Sequence, residues 1–361
     1  MSRVEACDVL VAGAGPAGCC AAQRAAAAGA RVILVEKRRQ IGLPVQCAEF
    51  VPWQLGQHVP IPGGCIAQDI EAMRTVLPDG RAVVKASRGY VLERALMDKH
   101  LAVLAHRAGA ELWVGWKAAE RDGDVVLLRR GQREARVRPR IIVGADGPAS
   151  TVARWVGMPQ EHFVHGAEVE VVLPTPRPAA EIYFHPAYAG GYGWLFPKGE
   201  TANVGVAVNV GMGGRPGEAL AHLLDSLDLQ AASVVGRLGG AVPTGGPVAR
   251  LRAGNVLLVG DAAGLAHPVT GGGIAPAVLS GQMAGEAAAR AVTGGDLSAL
   301  GGYAAGWQEA MGGPMRQAVA NRRYLDAHWS QDPAALSAAV AETWIAFSAY
   351  GRPKPGAGAN G

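Results

Sequence analysis

Residues 9–36 read VLVAGAGPAGCCAAQRAAAAGARVILVE, and this stretch decides the fold. The apolar run 9–12 predicts a buried parallel strand, and the alanine-rich run after the glycines predicts a helix that ends near Gly29. Residues 31–35 predict a second strand, with an acid at its end. A strand, G-x-G-x-x-G, a helix and an acid-tipped strand together are typical of a dinucleotide site. The candidate cofactor contacts of this unit are Gly13, Gly15, Pro16, Ala17, Gly18, Glu36 and Lys37.

The glycines of this unit have separate physical roles. Gly13 allows a tight turn, Gly15 lets a pyrophosphate approach the backbone, and Gly18 lets the helix pack closely on the strand. The positive end of the helix then faces the phosphate charge. The Glu36 carboxylate accepts hydrogen bonds from ribose hydroxyls and repels a 2′-phosphate. This unit alone predicts a dinucleotide but does not separate FAD from NAD.

Two distant segments favour FAD. Residues 140–147 predict a strand that leads into Asp-Gly, and residues 255–261 predict another that ends in an acid. The second is followed by glycines at 271–273 and a predicted helix over 275–292. Acids at strand ends can hold the hydroxyls of a flavin nucleotide, and a glycine-rich helix start directs its positive end to the flavin N1/O2 region. The candidate contacts are Asp146, Gly147, Gly260, Asp261, Gly271, Gly272, Gly273 and Ile274.

These motifs, together with residues 90–94 (YVLER), resemble the fingerprints of FAD proteins with the para-hydroxybenzoate hydroxylase type of fold. The resemblance implies that Arg94 lies beside the flavin nucleotide. It also implies an α/β fold, in which a discontinuous Rossmann-like FAD-binding domain carries an inserted antiparallel β-sheet cap domain and C-terminal helices. The expected limits are 1–70, 88–157 and 247–300 for the FAD-binding domain, 71–87 and 158–246 for the cap, and 301–361 for a helical region with a flexible tail.

Residues 43–50 (LPVQCAEF) and 190–198 (GGYGWLFPK) are similar to the P-x-x-C-x-E and Y-x-W-x-F-P segments of the geranylgeranyl reductase family. Members of that family saturate isolated double bonds in prenyl chains of archaeal lipids, chlorophylls or quinones. The resemblance therefore implies hydride transfer from reduced FAD, plus protonation, on an apolar substrate of this kind. It makes Cys47 and Glu49 the candidate proton sources, with Cys47 and Ala48 as cofactor contacts. Because a thiol is a weak acid, Cys47 is expected as a positioned or relay group, and a buried packing cysteine is the alternative. A redox pair of Cys47 and Cys65 stays open.

Six aromatic residues fall within 183–196, and three of them, Tyr192, Trp194 and Phe196, alternate. On a strand these three share one face. Strands predicted at 165–173, 180–185, 192–198 and 202–209 form an antiparallel sheet that turns this face toward the flavin. Such a face is either a core layer or a wall that stabilises positive charge at a tertiary carbon. Tyr192 and Trp194 are therefore candidate catalytic residues.

Two other functions remain open from the sequence. A flavin monooxygenase that acts on an aromatic or polyketide-like substrate shares every FAD fingerprint. Flavin halogenases are a variant of it, but their W-x-W-x-I-P segment differs here at Tyr192 and Phe196. The other alternative is a flavoprotein whose redox state regulates a partner without turnover, which leaves the aromatic face unexplained.

Composition excludes several classes of protein. The 361 residues are 49% hydrophobic and 18% charged, with a net charge of +4. These values exclude a disordered chain and a dedicated nucleic-acid binder. Five cysteines without C-x-x-C spacing predict neither a disulfide scaffold nor a metal site.

The expected location and electron donor also follow from what the sequence contains. The N-terminal residues are not apolar, and 262–285 is interrupted by prolines and glycines, so we expect a cytoplasmic protein. Peripheral contact with the inner membrane surface stays open. Without a second dinucleotide fingerprint, the electrons are expected from transiently docked NAD(P)H or a ferredoxin-type protein.

Overall fold

The structure is a computed structural model that describes residues 4–354. The strands in this range are β1 (Val4–Ala12), β2 (Val32–Glu36), β3 (Phe50–Pro52), β4 (Ile66–Val76), β5 (Ala82–Leu92), β6 (Glu111–Val114), β7 (Lys117–Asp122), β8 (Val125–Arg130), β9 (Arg133–Gly144), β10 (Phe163–Val172), β11 (Ala180–Tyr183), β12 (Tyr192–Lys198), β13 (Thr201–Val208), β14 (Val234–Pro243), β15 (Arg252–Ala253) and β16 (Val256–Leu258). The α-helices are α1 (Pro16–Ala27), α2 (Arg94–Arg107), α3 (Thr151–Trp155), α4 (Pro216–Ser226), α5 (Ile274–Gly294), α6 (Gly301–Ala327) and α7 (Pro333–Thr343). The tail expected to be flexible ends in 355–361, which lie outside the described residues.

The first sheet has a parallel core in the order β16-β9-β1-β2-β6. Its centre is the apolar run of β1, where Val9, Leu10 and Val11 are fully buried. Strand β15 pairs antiparallel with β16, and the hairpin β7–β8 joins β9 antiparallel. Since the core strands run in one direction, their carboxyl ends meet at one edge, where such sheets bind ligands. The predicted Rossmann-like sheet is confirmed.

Helices α1 and α5 touch through two glycines. A Cβ on Gly281 would lie 2.2 Å from the carbonyl oxygen of Ala17, and one on Gly285 would lie 2.4 Å from that of Ala21. Only glycine therefore allows the two backbones to approach this closely. Because both contacts advance together along the two helices, α1 and α5 run parallel, and their N-termini lie at the same end.

The second sheet has the order β14-β10-β13-β12-β11-β4-β5-β3. Its neighbouring strands are antiparallel, as predicted, except that β11 and β4 pair parallel. At this junction β4, from the earlier segment 50–92, lies edge to edge with β11, so two separate parts of the chain form one continuous sheet. The domain limit expected between 70 and 71 falls inside β4. The domain limits themselves stay a prediction.

The C-terminal helices brace the second sheet. Helix α7 begins after Asp332, whose side chain accepts a hydrogen bond from the Ala335 amide at 2.8 Å. It ends at Thr343, and the next residue, Trp344, packs its ring at 5.1 Å from that of Phe184 and 5.2 Å from that of Tyr192. The aromatic face of the sheet is therefore partly covered by the chain's own C-terminal region.

Residues 4–354 lack two features, a helix that could span a membrane and a cluster of metal ligands. No helix there has the length and apolar character needed to cross a bilayer. In the same part of the chain, no three His, Cys, Asp or Glu side chains gather as metal ligands do.

Candidate functional site

The glycine loop between β1 and α1 is shaped for a phosphate group. Gly13 has φ +103°, and a Cβ there would lie 2.3 Å from the Ala145 carbonyl oxygen. A Cβ on Gly18 would lie 1.8 Å from the Gly13 carbonyl oxygen, so both positions require glycine. Gly15, in contrast, has no heavy atom within 4 Å of its ideal Cβ position, which leaves room for a ligand beside the start of α1. These three glycines fit a pyrophosphate at the helix N-terminus.

Glu36 is oriented by the same loop. Its carboxylate accepts hydrogen bonds from the Ala14 amide at 3.0 Å and from the Arg38 amide at 2.8 Å. Each oxygen keeps a lone pair for a ribose hydroxyl. A cavity of about 190 Å³ lies beside it, lined by Glu36, Lys37, Asp146, Gly147 and the glycine loop. The residues present therefore fit the nucleotide part of FAD.

The Asp146 side chain holds the loop between β9 and α3, at the carboxyl edge of the first sheet. Its carboxylate accepts hydrogen bonds from the Ser150 hydroxyl at 2.5 Å and from the Thr151 amide at 2.6 Å. These bonds fix the loop that leads into α3. Asp146 and Gly147 both line the cavity beside Glu36, so the second predicted motif reaches the first.

Asp261 lies beyond the end of β16, in a 3-10 turn over Gly260–Ala263. The strand expected over 255–261 stops at Leu258, because Gly260 adopts φ +54° and its amide donates to the Ser280 hydroxyl at 3.0 Å. Burial raises the pKa of Asp261 to about 6, and the positive charge of Arg94 opposes this rise. A Cβ on Gly273 would lie 3.2 Å from Oδ1 of Asp261, so the start of α5 adjoins this acid. The third predicted motif thus meets Arg94 and the glycine-rich helix start.

The backbone of Glu49, whose carboxylate binds the Arg94 amide, has a strained conformation. It has φ +71°, a left-handed conformation that is rare for a residue with a side chain and is found mostly at functional sites. Its carboxylate is buried and accepts hydrogen bonds from the Arg94 amide at 2.7 Å, Lys198 Nζ at 2.8 Å and Asn203 Nδ2 at 2.9 Å. Lys198 and Asn203 belong to β12 and β13, so Glu49 ties the 43–50 loop to the second sheet.

Cys47 lies two residues before this anchor. Its Sγ accepts a hydrogen bond from the Glu49 amide at 3.2 Å. Burial raises the pKa of the thiol, and Arg94 lowers it by a smaller amount. Arg94 also forms an ion pair with Asp98, at 2.9 Å from Nε to Oδ1. Cys47 and Cys65 are both free thiols, and their redox pairing stays a prediction.

The alternating aromatic residues of β12 share one face, as expected. The ring of Trp194 lies 5.9 Å from that of Tyr192 and 6.3 Å from that of Phe196. The Tyr192 hydroxyl donates to the Thr270 carbonyl oxygen at 2.5 Å, which joins this face to the loop before α5. Burial raises the pKa of Tyr192, with the Cys47 thiolate charge as the smaller cause. The aromatic face, Cys47 and the start of α5 are therefore brought together.

Glu168 of β10 is a part of this site that the sequence analysis missed. Glu168 and Trp194 both pair with Gly205 of β13, from its two sides, so the three residues form one row across the sheet. The Trp194 indole Nε1–H donates to Glu168 Oε2 at 2.8 Å. Burial raises the pKa of Glu168 to about 8.

The sequence held a weak signal for Glu168. Acids at 168 and 170 alternate with valines in a predicted strand, a pattern that indicates one apolar and one solvated face. The structure places Glu168 on a buried face instead, where it is only 5% exposed. Lys198 and Asn203, which bind Glu49, were also missed, since nothing local in the sequence indicates a partner in another segment.

Comparison with known proteins agrees with this arrangement. The family model of FAD dependent oxidoreductases matches residues 8–70. The digeranylgeranylglycerophospholipid reductase of Methanosarcina acetivorans is 39% identical over 81% of this chain and 77% of its own length. Digeranylgeranylglycerophospholipid reductase 1 of Methanopyrus kandleri is 41% identical over 84% of this chain and 86% of its own.

A solved structure is similar over nearly the whole chain. The geranylgeranyl bacteriochlorophyll reductase-like protein of Thermoplasma acidophilum superposes with a TM-score of 0.83 and 26% identity, over 95% of this chain and 97% of its own. The expected FAD-dependent oxidoreductase fold, with two sheets and C-terminal helices, is confirmed. With these levels of identity and coverage, the chain belongs to the geranylgeranyl reductase family of FAD-dependent oxidoreductases.

Proposed function

We propose that this protein reduces isolated C=C bonds in the prenyl chains of a digeranylgeranylglycerophospholipid-type lipid. The observation that carries the proposal is the meeting of the aromatic face of β12 with Cys47 and with the predicted flavin contacts Arg94 and Asp261. The relatives that share this chain's family are named as reductases of such lipids. A substrate of this kind needs an apolar wall, and this face supplies one.

The proposed cofactor site uses the residues predicted from sequence. Reduced FAD, when bound, would supply the hydride. The glycine loop would hold the pyrophosphate, Glu36 the adenosine ribose, and Asp261 with the start of α5 the flavin end. We assign the supply of electrons to NAD(P)H or a ferredoxin-type protein, because FAD must be reduced anew in each turnover.

The aromatic side chains would stabilise the positive charge that develops on the alkene during its reduction. An isolated trialkyl alkene cannot delocalise the charge of an added hydride, so its reduction passes through tertiary-cation character. The faces of Tyr192 and Trp194 carry negative electrostatic potential and would stabilise that developing charge. Glu49 would serve by fixing the Cys47 loop, because its carboxylate already accepts three hydrogen bonds from the protein.

A peripheral position on the membrane would give access to a lipid substrate. The exposed ring of Trp53 lies 6.0 Å from the guanidinium of Arg88. An indole beside a cation suits the boundary between lipid headgroups and acyl chains. We include contact with an anionic lipid surface in the proposal on this ground.

A single anaerobic experiment tests the reaction. The flavin of the purified protein is reduced under argon and then mixed with a digeranylgeranylglycerophospholipid or with oxygen. We expect the lipid alone to reoxidise the flavin, with saturated prenyl product detected by mass spectrometry. A C4a-hydroperoxide absorbance, with oxygen consumed only when an aromatic compound is present, would instead identify a monooxygenase.

A further inference from the structure

The two carboxyl oxygens of Glu168 have different surroundings. Oε2 accepts the 2.8 Å hydrogen bond from the Trp194 indole. Oε1 is buried and has no hydrogen-bond partner among residues 4–354. A buried oxygen without a partner is costly in folded proteins and requires an explanation, of which a catalytic role is one. The side chain also lies on the sheet face that carries Tyr192 and Trp194, because Glu168 shares its row with Trp194.

Gly205 makes this contact possible. It stands between Glu168 and Trp194 in the row, and a Cβ there would lie 2.4 Å from Cζ2 of the indole. Since glycine has no side chain, the indole can lie across β13 and reach the carboxyl group on β10. The lack of a side chain at Gly205 therefore allows the hydrogen bond between Trp194 and Glu168.

The lysine whose charge acts on Glu168 is already paired with two other carboxylates. Lys198 Nζ lies 2.8 Å from Glu49 and 3.1 Å from Glu93, and no salt bridge joins it to Glu168 in the described chain. Burial consequently keeps the pKa of Glu168 at about 8, so the carboxyl group carries a proton at neutral pH. Because Oε2 is an acceptor, that proton resides on Oε1, where no protein atom binds it.

The other acids near Cys47 are less suited to donate. Glu49 is an acceptor for Arg94, Lys198 and Asn203. Burial raises the pKa of the Cys47 thiol, and the Tyr192 hydroxyl is engaged with Thr270. Among these groups, Glu168 alone combines a proton at neutral pH with an oxygen that no protein group bonds.

We propose that Glu168 is the acid that supplies the proton for the reduction of the C=C bond, an inference that rests on the function proposed above. One alkene carbon gains a C–H bond from the hydride, with both electrons, and the π bond breaks. The Oε1–H bond of Glu168 breaks, and its proton forms the second C–H bond at the other carbon. Glu168 is left as a carboxylate, and a proton from solvent restores it before the next turnover.

The charged and titratable groups around Glu168 set the expected pH dependence. Cys47 and Glu49 face it from the 43–50 loop, Lys198 from β12 and Glu170 from its own strand. An acid with a pKa of about 8 is competent below that pH. We therefore expect the rate of lipid-dependent flavin reoxidation to fall as the pH rises through about 8.

The test compares E168Q with the control E170Q. The amide oxygen of E168Q still accepts from the indole, but the side chain has no acidic proton. Glu170 lies two residues away on the same strand and face, and its carboxylate accepts from the Thr201 hydroxyl at 2.8 Å. We expect E168Q to lower the lipid-dependent reoxidation rate about a hundredfold or more, and to abolish its pH dependence near 8. E170Q should keep the neutral-pH rate and keep a pH dependence, moved slightly to lower pH because the Glu170 charge contributes a little to the raised pKa of Glu168.

Infrared spectroscopy of the cofactor-free protein gives a second readout without activity. We expect wild type and E170Q to show a protonated-carboxyl band at neutral pH that disappears as the pH rises through about 8, and E168Q to lack it. Asp261, with a pKa of about 6, is already ionised over that range. Absence of the band in the wild type overturns the proposal even where E168Q fails to fold.

The remaining outcomes separate the two proposals. Wild type and E168Q that reduce the lipid at similar rates would leave the proposed function standing and overturn the role of Glu168. Wild-type flavin that the lipid does not reoxidise would overturn the proposed function, and the role of Glu168 with it.

Discussion

Lys198 binds the carboxylate of Glu49 at 2.8 Å, across 149 residues of sequence, and both side chains are only 5% exposed. This ion pair joins the 43–50 loop, which carries Cys47, to strand β12, which carries Trp194. It also stabilises the left-handed backbone of Glu49, whose φ is +71°. This ion pair therefore holds together the two segments that resemble reductase motifs, residues 43–50 and 190–198.

Replacing Lys198 with methionine should destabilise the protein strongly. Removal of one partner leaves the Glu49 carboxylate buried beside an apolar side chain, which costs about 3–5 kcal/mol. Denaturant unfolding at neutral pH measures the change in free energy. Arg215→Gln is the matched control, because its ion pair with Glu218 is exposed to solvent and should contribute little to stability. Equal losses of unfolding free energy in the two variants would show that the Lys198–Glu49 ion pair does not hold the 43–50 loop against β12.

Replacing Gly205 with alanine should displace the Trp194 indole. The new Cβ would lie 2.4 Å from Cζ2 of the ring, so the indole must move and its hydrogen bond to Glu168 is lost. Overpacking of this kind costs about 1–3 kcal/mol. Gly236→Ala in β14 is the control, since its Cβ would meet the Glu170 side chain at ordinary contact distances, 3.4 Å from Cβ and 3.7 Å from Oε2. A crystal structure of Gly205→Ala with an unmoved indole would contradict the expectation.

The sequence predicts local units well because local contacts build them. Residues 9–36 form the predicted strand, glycine turn, helix and strand within a residue or two at most ends, apart from β1, which begins earlier, at Val4. Burial of Glu168 depends instead on the register of β10 against β13, which no pattern within 163–172 contains. Trp344 reaches the aromatic face only through the packing of α7. Long-range pairing therefore sets the parts of the site that sequence analysis missed.

Replacing Glu36 with alanine should weaken FAD binding while the fold persists. The carboxylate is the predicted ribose acceptor, and hydrogen bonds to a charged group contribute about 1.5–3 kcal/mol. We expect the dissociation constant to rise about 10- to 100-fold, measured by the quenching of flavin fluorescence on binding. Glu134→Ala, at an exposed position of β9, serves as the control and should bind FAD like the wild type. Unchanged affinity in Glu36→Ala would remove Glu36 from the cofactor site.

The stability of the wild type should fall with rising pH more than that of E168Q. Burial raises the pKa of Glu168 from 4.5 to about 8 on folding. The folded protein therefore keeps a proton that the unfolded chain releases, so this contribution is complete below about pH 4.5 and lost as the pH rises through about 8. Since one pKa unit equals about 1.4 kcal/mol, the extra loss is on the order of 3–5 kcal/mol. Unfolding free energies of both proteins at about pH 5 and about pH 9 measure it, and parallel curves would contradict the prediction.

Replacing Trp194 with phenylalanine separates the two tasks given to its indole. Phenylalanine keeps an aromatic wall but donates no hydrogen bond, and this bond lowers the pKa of Glu168 against the effect of burial. Its loss should move the infrared titration of Glu168 to a pH above the wild-type value of about 8. Lipid-dependent flavin reoxidation in Trp194→Phe should exceed that in Trp194→Ala, because only the former retains a ring that stabilises positive charge by about 0.5–2 kcal/mol. Both variants, like Cys47→Ala, should retain bound FAD, as their absorbance spectra will show. A Glu168 titration that stays at the wild-type pH in Trp194→Phe would mean that the indole does not control this carboxyl group.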